Sequence, residues 1–577
     1  MSDCPSCPLQ DTPYDAQLVA KKERVERAFA AHPRLEGVEV AAVLASARQS
    51  GYRNRARMVV DSTAAHAQAL LGFYEEQGRD VVAVQSCAAH HPQIEAALAT
   101  LRPLLFANEG LRAFARFVDV RCTAGRPAKG GSEAVMITLA GSASKADEIK
   151  SIEAAALALF GELESRLEGL NVALHLNISA ERNQSVLSGE QRVIGGDACL
   201  SFGLKIAGEG EAKIAELAVP PTAFFQVNLE QLEAVYPAIR PAMVDNGVLV
   251  DLYCGVGTHA IALAEMAAEG AGFSDILGFD ISESAIEEAK LNAEKAGLRG
   301  QFLAADDHDA VAWIQERVAA LPQGTAVSII TNPARAGMSP QAVASVAEVG
   351  AEVVFYLSCE PETLARDLDR LQDQGFAVER VEAFDFMPQT DQVETLVVLK
   401  RTGEATTPSY ERAYQSLKGR RFSPGVSGPS ALPDKVDESV WIAVVAGTVP
   451  GQGFLPFDRS KKARAAEKNG ATQEQVKIER LRKVQGNSVV RIHAETLDDA
   501  QIRRRFRAWN HPVLGDPDFG DRNANHLAER HAYLDRLALH CVGAKVDQKW
   551  KSAPVPGQFL AMMRLPRAIL EEVPQGG

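Results

Sequence analysis

A chain of 577 residues is long enough for three or four domains, and at 46% hydrophobic and 24% charged it has the composition of a globular protein able to bury real cores. No run of 18 apolar residues occurs, so no membrane-spanning helix is expected, and the opening MSDCPSCPLQDTPYD has neither the basic nor the apolar stretch of a secretory signal. The net charge of −14 is uneven: from Ala405 onward 27 Lys and Arg stand against 19 Asp and Glu, a basic tail that suits a polyanionic partner or a solvated basic surface.

Eight cysteines, most of them isolated, fit a reducing cytoplasm rather than a disulfide framework. Residues 1–218 read as an α+β region. ARFVDVRC (115–122), EAVMITLAG (133–141) and NVALHLNIS (171–179) alternate like strands, and ADEIKSIEAAALALFGELESRL between them predicts an amphipathic helix. Residues 219–402 change character. The short apolar runs VLVDLY, ILGFDI, VSIITN, EVVFYLS and ETLVVLK alternate with helical patterns, which predicts a doubly wound, parallel α/β sheet binding its ligand at the carboxyl ends of the strands. Residues 403–437 contain FSPGVSGPSALP and read as a linker, and 438–577 as a third, basic domain.

Five points in the α/β region carry candidate chemistry. The first strand runs into DLYCGVGTHAIALA, where Gly255 and Gly257 permit a tight turn at a helix start. The second ends at Asp280, placed to accept hydrogen bonds from ribose hydroxyls. Together they predict a nucleoside-bearing cofactor, nicotinamide and S-adenosylmethionine both being allowed; a packing turn and a helix-capping Asp are the competing use. Asn332, in TNPARAG, stands at the next strand end as a pocket or turn residue.

Cys359 falls where a strand gives way to a helix opened by Pro361. A helix N-terminus is expected to lower the pKa of a thiol and supply the reactive thiolate, although a free Cys is also commonly a small buried hydrophobe. Glu394 opens the last apolar strand, where burial would raise its pKa and make it a base; a surface strand-end Glu is the competing reading.

Taken in order, FFQVN (224–228), DLYCGVG, GFDIS, NPARAG, SCEPETLARDL and FDFMPQTDQVETLVVL resemble the motifs of the S-adenosylmethionine-dependent RNA uracil-5-methyltransferases, which make 5-methyluridine in tRNA and 23S rRNA. The likeness covers roughly residues 1–402 and extends to GYRNRARMVV (51–60); the front end is most like the rRNA branch. The resemblance implies a Rossmann-like methyltransferase domain with Cys359 as nucleophile on uracil C6 and Glu394 as acceptor of the C5 proton. It implies cofactor contacts from Gln226, Tyr253, Gly255, Gly257, Asp280, Asp306 and Asn332. It also implies a [4Fe–4S] cluster held by four Cys, of which only Cys4, Cys7 and Cys87 have counterparts here.

The tail resembles another family. WIAVVAG (441–447), AQIRRRFRAWNHPVLGDPDFGD (500–521) and YLDRLALHCVGAKV (533–546) look like the later half of large-subunit RNA pseudouridine synthases, a resemblance that implies an α+β domain. The Asp-bearing His-Arg-Leu-Asp segment is missing, so the tail is expected to be inactive, with Arg503, Arg504, Arg505 and Arg507 suited to phosphate contacts. The expectation is therefore a monomeric, cytoplasmic methyltransferase of the RNA uracil-5 class acting on 23S rRNA. An RNA-binding or ribosome-assembly factor with a silent methyltransferase body is the alternative, and a small-molecule methyltransferase a third reading.

Overall fold

The computed structural model describes residues 7–74, 81–180, 186–206, 212–244, 246–266, 273–403, 438–445, 452–455, 476–484, 487–494, 502, 505–506, 539–546 and 549–552. Two compact units emerge, residues 1–406 and 407–577. Among the described residues no helix is long and apolar enough to cross a membrane.

The first unit opens with a seven-stranded sheet. Its strands are β1 (Arg55–Val60), β2 (Leu71–Tyr74), β3 (Val81–Ala83), β4 (Ala115–Cys122), β5 (Ala134–Ser142), β6 (Asn171–Ser179) and β7 (Glu190–Gly195), in spatial order β3-β2-β1-β4-β5-β6-β7. All pairings are antiparallel except β5–β6, which the predicted helix, Ala146–Arg166, connects. A hairpin of β8 (Leu200–Ile206) and β9 (Lys213–Val219) follows.

The second sheet contains β10 (Val248–Leu252), β11 (Asp275–Asp280), β12 (Gly300–Ala304), β13 (Val327–Thr331), β14 (Val353–Ser358), β15 (Phe376–Phe384) and β16 (Glu394–Arg401), ordered β12-β11-β10-β13-β14-β16-β15. Strands β10 to β14 run parallel, as the sequence predicts. Strand β16, the run ETLVVLK, does not follow the parallel expectation: it runs antiparallel to β14 and to β15, because a short turn and not a crossover helix joins β15 to it. Every residue of β10, β13 and β14 is buried, which is why these runs read as continuously apolar. The switch in strand order lies between β10 and β13, so the carboxyl ends of β10, β11, β13 and β14 open on one crevice.

The front of the chain docks on this sheet. Helix Tyr14–Ala30 puts Val25 and Phe29 into one core with Val250, Tyr356, Leu364 and Leu368, and Leu35 and Val40 extend it. Residues 41–44 then lie along the free edge of β15: the Ala41 and Leu44 amides donate to the Val381 and Ala383 carbonyls at 3.2 and 2.8 Å. An edge strand that would otherwise expose its ladder is thereby covered. Two ions anchor the join. Lys21 Nζ donates to Asp385 Oδ1, both side chains being essentially inaccessible (1% and 0%), and Tyr14 Oη donates to the other Asp385 oxygen at 2.7 Å. Removing one partner of such a pair leaves a buried charge uncompensated. Lys21→Met is accordingly expected to lose about 3–5 kcal/mol of unfolding free energy, and the Lys21→Met/Asp385→Asn double variant less, read by denaturant unfolding.

The second unit contributes a six-stranded antiparallel sheet, β18-β19-β20-β17-β21-β22, from β17 (Glu438–Val445), β18 (Gln452–Leu455), β19 (Val476–Val484), β20 (Asn487–Ala494), β21 (Leu539–Val546) and β22 (Lys549–Ser552). Val445, Ile478, Val490, Ile492 and Phe506 are among its buried residues. Arg505 is buried too, at 2% exposure, and so does not present its guanidinium to a phosphate as the sequence suggested. Arg503, Arg504 and Arg507 lie outside the described residues.

Candidate active site

Cys359 follows the last residue of β14, and Pro361 takes the first turn of helix Pro361–Asp373, as predicted. That helix forms because Leu364, Leu368 and Leu371 make an apolar stripe that is fully buried. Glu394 is the first residue of β16. The β14–β16 ladder pairs Leu357 with Leu396 and Ser358 with Thr395. Continued one step past the end of the ladder, that register brings Cys359 level with Glu394, and the carboxyl group is near enough to act on the thiol.

The electrostatics of the pair follow from burial. Glu394 is 5% exposed and its Oε1 has no hydrogen-bond partner among the described residues. Desolvation pushes its pKa from 4.5 to about 8, with the Arg335 guanidinium opposing the rise. The Cys359 thiol is pushed up to about 11, by burial first and then by the Glu394 carboxylate, while Arg335 again opposes and Glu360 adds to the rise. The sequence predicted a lowered thiol pKa from the helix N-terminus. Burial and two acidic neighbours outweigh that field, so at neutral pH the resting pair carries both protons. Arg335, within the NPARAG segment but not singled out by its type or spacing, is the cation that serves both groups. Its guanidinium donates to Gln392 Oε1 at 2.9 Å.

On the cofactor side, Tyr253 (φ 62°), Gly255 (φ 55°) and Gly257 (φ 80°) all lie in the left-handed region. Nothing stands within 4 Å of the position a Cβ would take on Gly255, so the turn leaves an open cradle beside the backbone. Asp280 Oδ2 accepts from the Gly255 amide at 3.1 Å and Oδ1 from the Ser282 amide at 2.9 Å. The acid therefore stabilises the turn as well as terminating its strand, and burial raises its pKa. Asp251, fully buried beneath the turn, is pushed up to about 8 by burial. An open glycine turn with an acid at the neighbouring strand end sets backbone amides beside a carboxylate acceptor.

Asn332 sits at the end of β13, and its amide meets His259 Nε2 at 3.1 Å. The Tyr236 hydroxyl lies 3.4 Å from His259 Nδ1. His259 is buried and its pKa falls to about 4, so the imidazole is neutral; with the Asn332 amide donating to Nε2, the proton is assigned to Nδ1. His259 thereby fixes which way the Asn332 carboxamide points, a role no spacing rule in the sequence reveals. Gln226 is 7% exposed, and its main-chain carbonyl accepts from the Asn54 amide at 2.9 Å. Asp306 is exposed at the start of helix Asp307–Ala319.

Of the cysteines expected to hold a cluster, Cys4 lies outside the described residues. Burial raises the Tyr52 phenol, Arg53 opposes, and both Cys7 and Cys87 add to the rise, which places the two thiols near one ring. Among the described residues no group of three or more His, Cys, Asp or Glu side chains is arranged to hold a metal. The described residues thus supply two thiols and not a ligand set.

A family profile described as tRNA (Uracil-5-)-methyltransferase matches residues 218–402. An uncharacterized RNA methyltransferase of Nitratidesulfovibrio vulgaris is 30% identical over 407 residues, 69% of this chain and 81% of that one. Another, of Geobacter sulfurreducens, is 29% identical over 422 residues, 71% of this chain and 79% of that one. Among solved structures, the Pyrococcus abyssi tRNA (uracil-54, C5)-methyltransferase in complex with S-adenosyl-L-homocysteine aligns at TM-score 0.49 and 23% identity, over 69% of this chain and 86% of that one.

Proposed function

The chain belongs to the RNA uracil-5-methyltransferase family, and from that premise we propose that it methylates C5 of a uridine in 23S ribosomal RNA through a covalent bond between Cys359 and C6 of the base. The observation that carries this reading is the thiol just past the end of β14, within electrostatic reach of a buried carboxyl group whose Oε1 has no hydrogen-bond partner among the described residues.

C5 of uracil is a poor nucleophile. When the Cys359 sulfur bonds to C6, the C5=C6 electron pair moves onto C5 and O4, and C5 gains the electron density a methyl acceptor needs. S-adenosyl-L-methionine, when bound, supplies a methyl group on a positively charged sulfur. Gln226, Tyr253, Gly255, Gly257, Asp280, Asp306 and Asn332 are the residues assigned to hold it. Once C5 carries the methyl group, Glu394 takes the C5 proton. The C–H electron pair restores C5=C6, and the C6–S bond breaks to return the thiolate. Arg335 faces both groups and favours their anionic forms. The target base has to leave its stack to reach this site, and a buried pair excludes water from the adduct.

The reading is tested by transfer of labelled methyl groups from S-adenosyl-L-methionine to total RNA, followed by nucleoside analysis of separated rRNA and tRNA. 5-Methyluridine appearing in 23S rRNA supports it, label in tRNA alone moves the substrate, and no label in RNA overturns it. A second expectation concerns the cofactor. Asp280→Ala removes both the ribose acceptor and the hydrogen bond that holds the Gly255 amide. Calorimetry should show S-adenosyl-L-homocysteine binding about tenfold to 100-fold more weakly, as one charged hydrogen bond of about 1.5–3 kcal/mol requires.

A further inference from the structure

Arg24 lies on helix Tyr14–Ala30, outside the residues that match the family profile, yet its guanidinium reaches both sides of the candidate active site. Nη2 donates to Glu360 Oε1 at 2.5 Å and to Glu362 Oε2 at 3.0 Å; Nη1 donates to the main-chain carbonyl of Asp391 at 3.3 Å. Glu360 is the residue after Cys359. Asp391 belongs to the turn that delivers Glu394 to the start of β16. The Arg24 side chain is only 18% exposed and Glu360 is buried, so the Glu360 contact is enclosed, while the Glu362 and Asp391 contacts lie toward the surface.

We propose that Arg24 is a positioning residue for the Cys359–Glu394 pair, one planar guanidinium fixing the residue next to the sulfur and the turn that precedes the carboxyl group. The inference rests on the function proposed above. The fork geometry matters: an arginine holds two acceptors in set directions, whereas a lysine supplies a point charge on a flexible stem. The same helix holds the far end of the turn, since Lys21 Nζ also donates to the Met387 carbonyl at 3.0 Å and Gln17 Nε2 to Gln389 Oε1 at 2.8 Å. Arg24 is the member of this set that reaches the nucleophile's own neighbour.

The charges around the sulfur give the proposal a second readout. Cys359 is faced by Glu394, Glu360 and Arg335; Arg24 is faced by Glu360, Glu362 and Asp391. Replacing Arg24 by a neutral side chain leaves the Glu360 and Glu362 carboxylates without their shared cation beside the thiol, which moves thiolate formation to higher pH.

The test compares Arg24→Gln, Glu360→Gln and the double variant in the full chain, with Arg24→Lys as the conservative control. Two quantities are read: the single-turnover rate of methyl transfer to RNA, and the pH dependence of Cys359 alkylation by iodoacetamide, followed on the Cys359 peptide by mass spectrometry. Arg24→Gln is expected to lower the rate about tenfold to 100-fold with KM for RNA within about twofold, as a small misplacement of reacting groups does. It is also expected to move the alkylation profile to higher pH, and Arg24→Lys to restore the profile but not the full rate. The double variant should be no slower than Arg24→Gln alone, because both changes break one contact. A wild-type rate and profile in Arg24→Gln, additive losses in the double variant, or a loss confined to KM would each overturn the proposal. Should the wild-type protein transfer no methyl group to RNA, the functional reading falls, and the alkylation profile still decides whether Arg24 controls the setting of Cys359.

Discussion

Cys359→Ala protein is expected to transfer no measurable methyl group to RNA and to form no covalent complex with RNA containing 5-fluorouracil. The charged side chains that act on the sulfur are Glu394, Glu360 and Arg335, and none of them is a thiol. Removing a covalent nucleophile from a cooperating set costs on the order of 10⁶ in rate, so activity should fall below detection rather than merely decline. In wild-type protein the fluorine at C5 cannot leave as a proton does. The adduct therefore persists, and a species stable to denaturing electrophoresis should appear. Calorimetry with S-adenosyl-L-homocysteine provides the control: the glycine turn and Asp280 belong to other strands, so Cys359→Ala should bind it as wild type does. A Cys359→Ala protein that still forms the fluorinated adduct would remove the sulfur from the mechanism.

Glu394→Gln should act one step later. The amide keeps the shape of the side chain but cannot take the C5 proton, so the base is methylated and then held. The expected result is a loss of about 10²–10⁴ in turnover together with a covalent protein–RNA complex on ordinary RNA, carrying the methyl label. Turnover at the wild-type rate would exclude Glu394 as the base.

The pH dependence follows from the same two groups. Accepting a proton requires the Glu394 carboxylate, whose fraction rises with pH through about 8, and attack requires the thiolate, whose fraction rises toward about 11. The wild-type turnover rate should therefore climb from pH 7 to beyond pH 8. Stability moves the opposite way. The folded-state pKa of Glu394 lies above the ordinary 4.5, so the folded protein prefers the protonated form. The stability this contributes is complete below about pH 4.5 and is lost as pH rises through about 8. Glu394→Gln carries no such titration, so its melting midpoint should gain on that of wild type across this window.

Local features of the chain announced much of this. The apolar runs from 248 to 400 appear as strands because interior strands of a parallel sheet are buried on both faces, which makes their sequence signal strong. Gly255 and Gly257 were legible because positive φ favours glycine; Tyr253 adopts the same region without that signature. Pro361 marked the helix that follows Cys359 because its fixed φ suits a first turn. The partners of these residues left no local trace. His259 turns the Asn332 carboxamide across 73 positions of sequence, and Lys21 meets Asp385 across 364.

The sequence by itself determined the order of strands and helices and the glycine turn, since each depends on residue type and on neighbours a few positions away; it offered Cys359 and Glu394 as candidates, each beside a competing structural use and joined only by the family resemblance. It could not determine that β16 runs back along β14, which is what brings Glu394 level with Cys359, nor the balance of burial and charge that lifts the thiol rather than lowering it. It gave no sign that a helix from the first thirty residues closes over the catalytic sheet and brings Arg24 to Glu360. Those outcomes belong to the tertiary structure, because desolvation and Coulomb interactions depend on distance in space, and residues hundreds of positions apart acquire that distance only when the chain has folded.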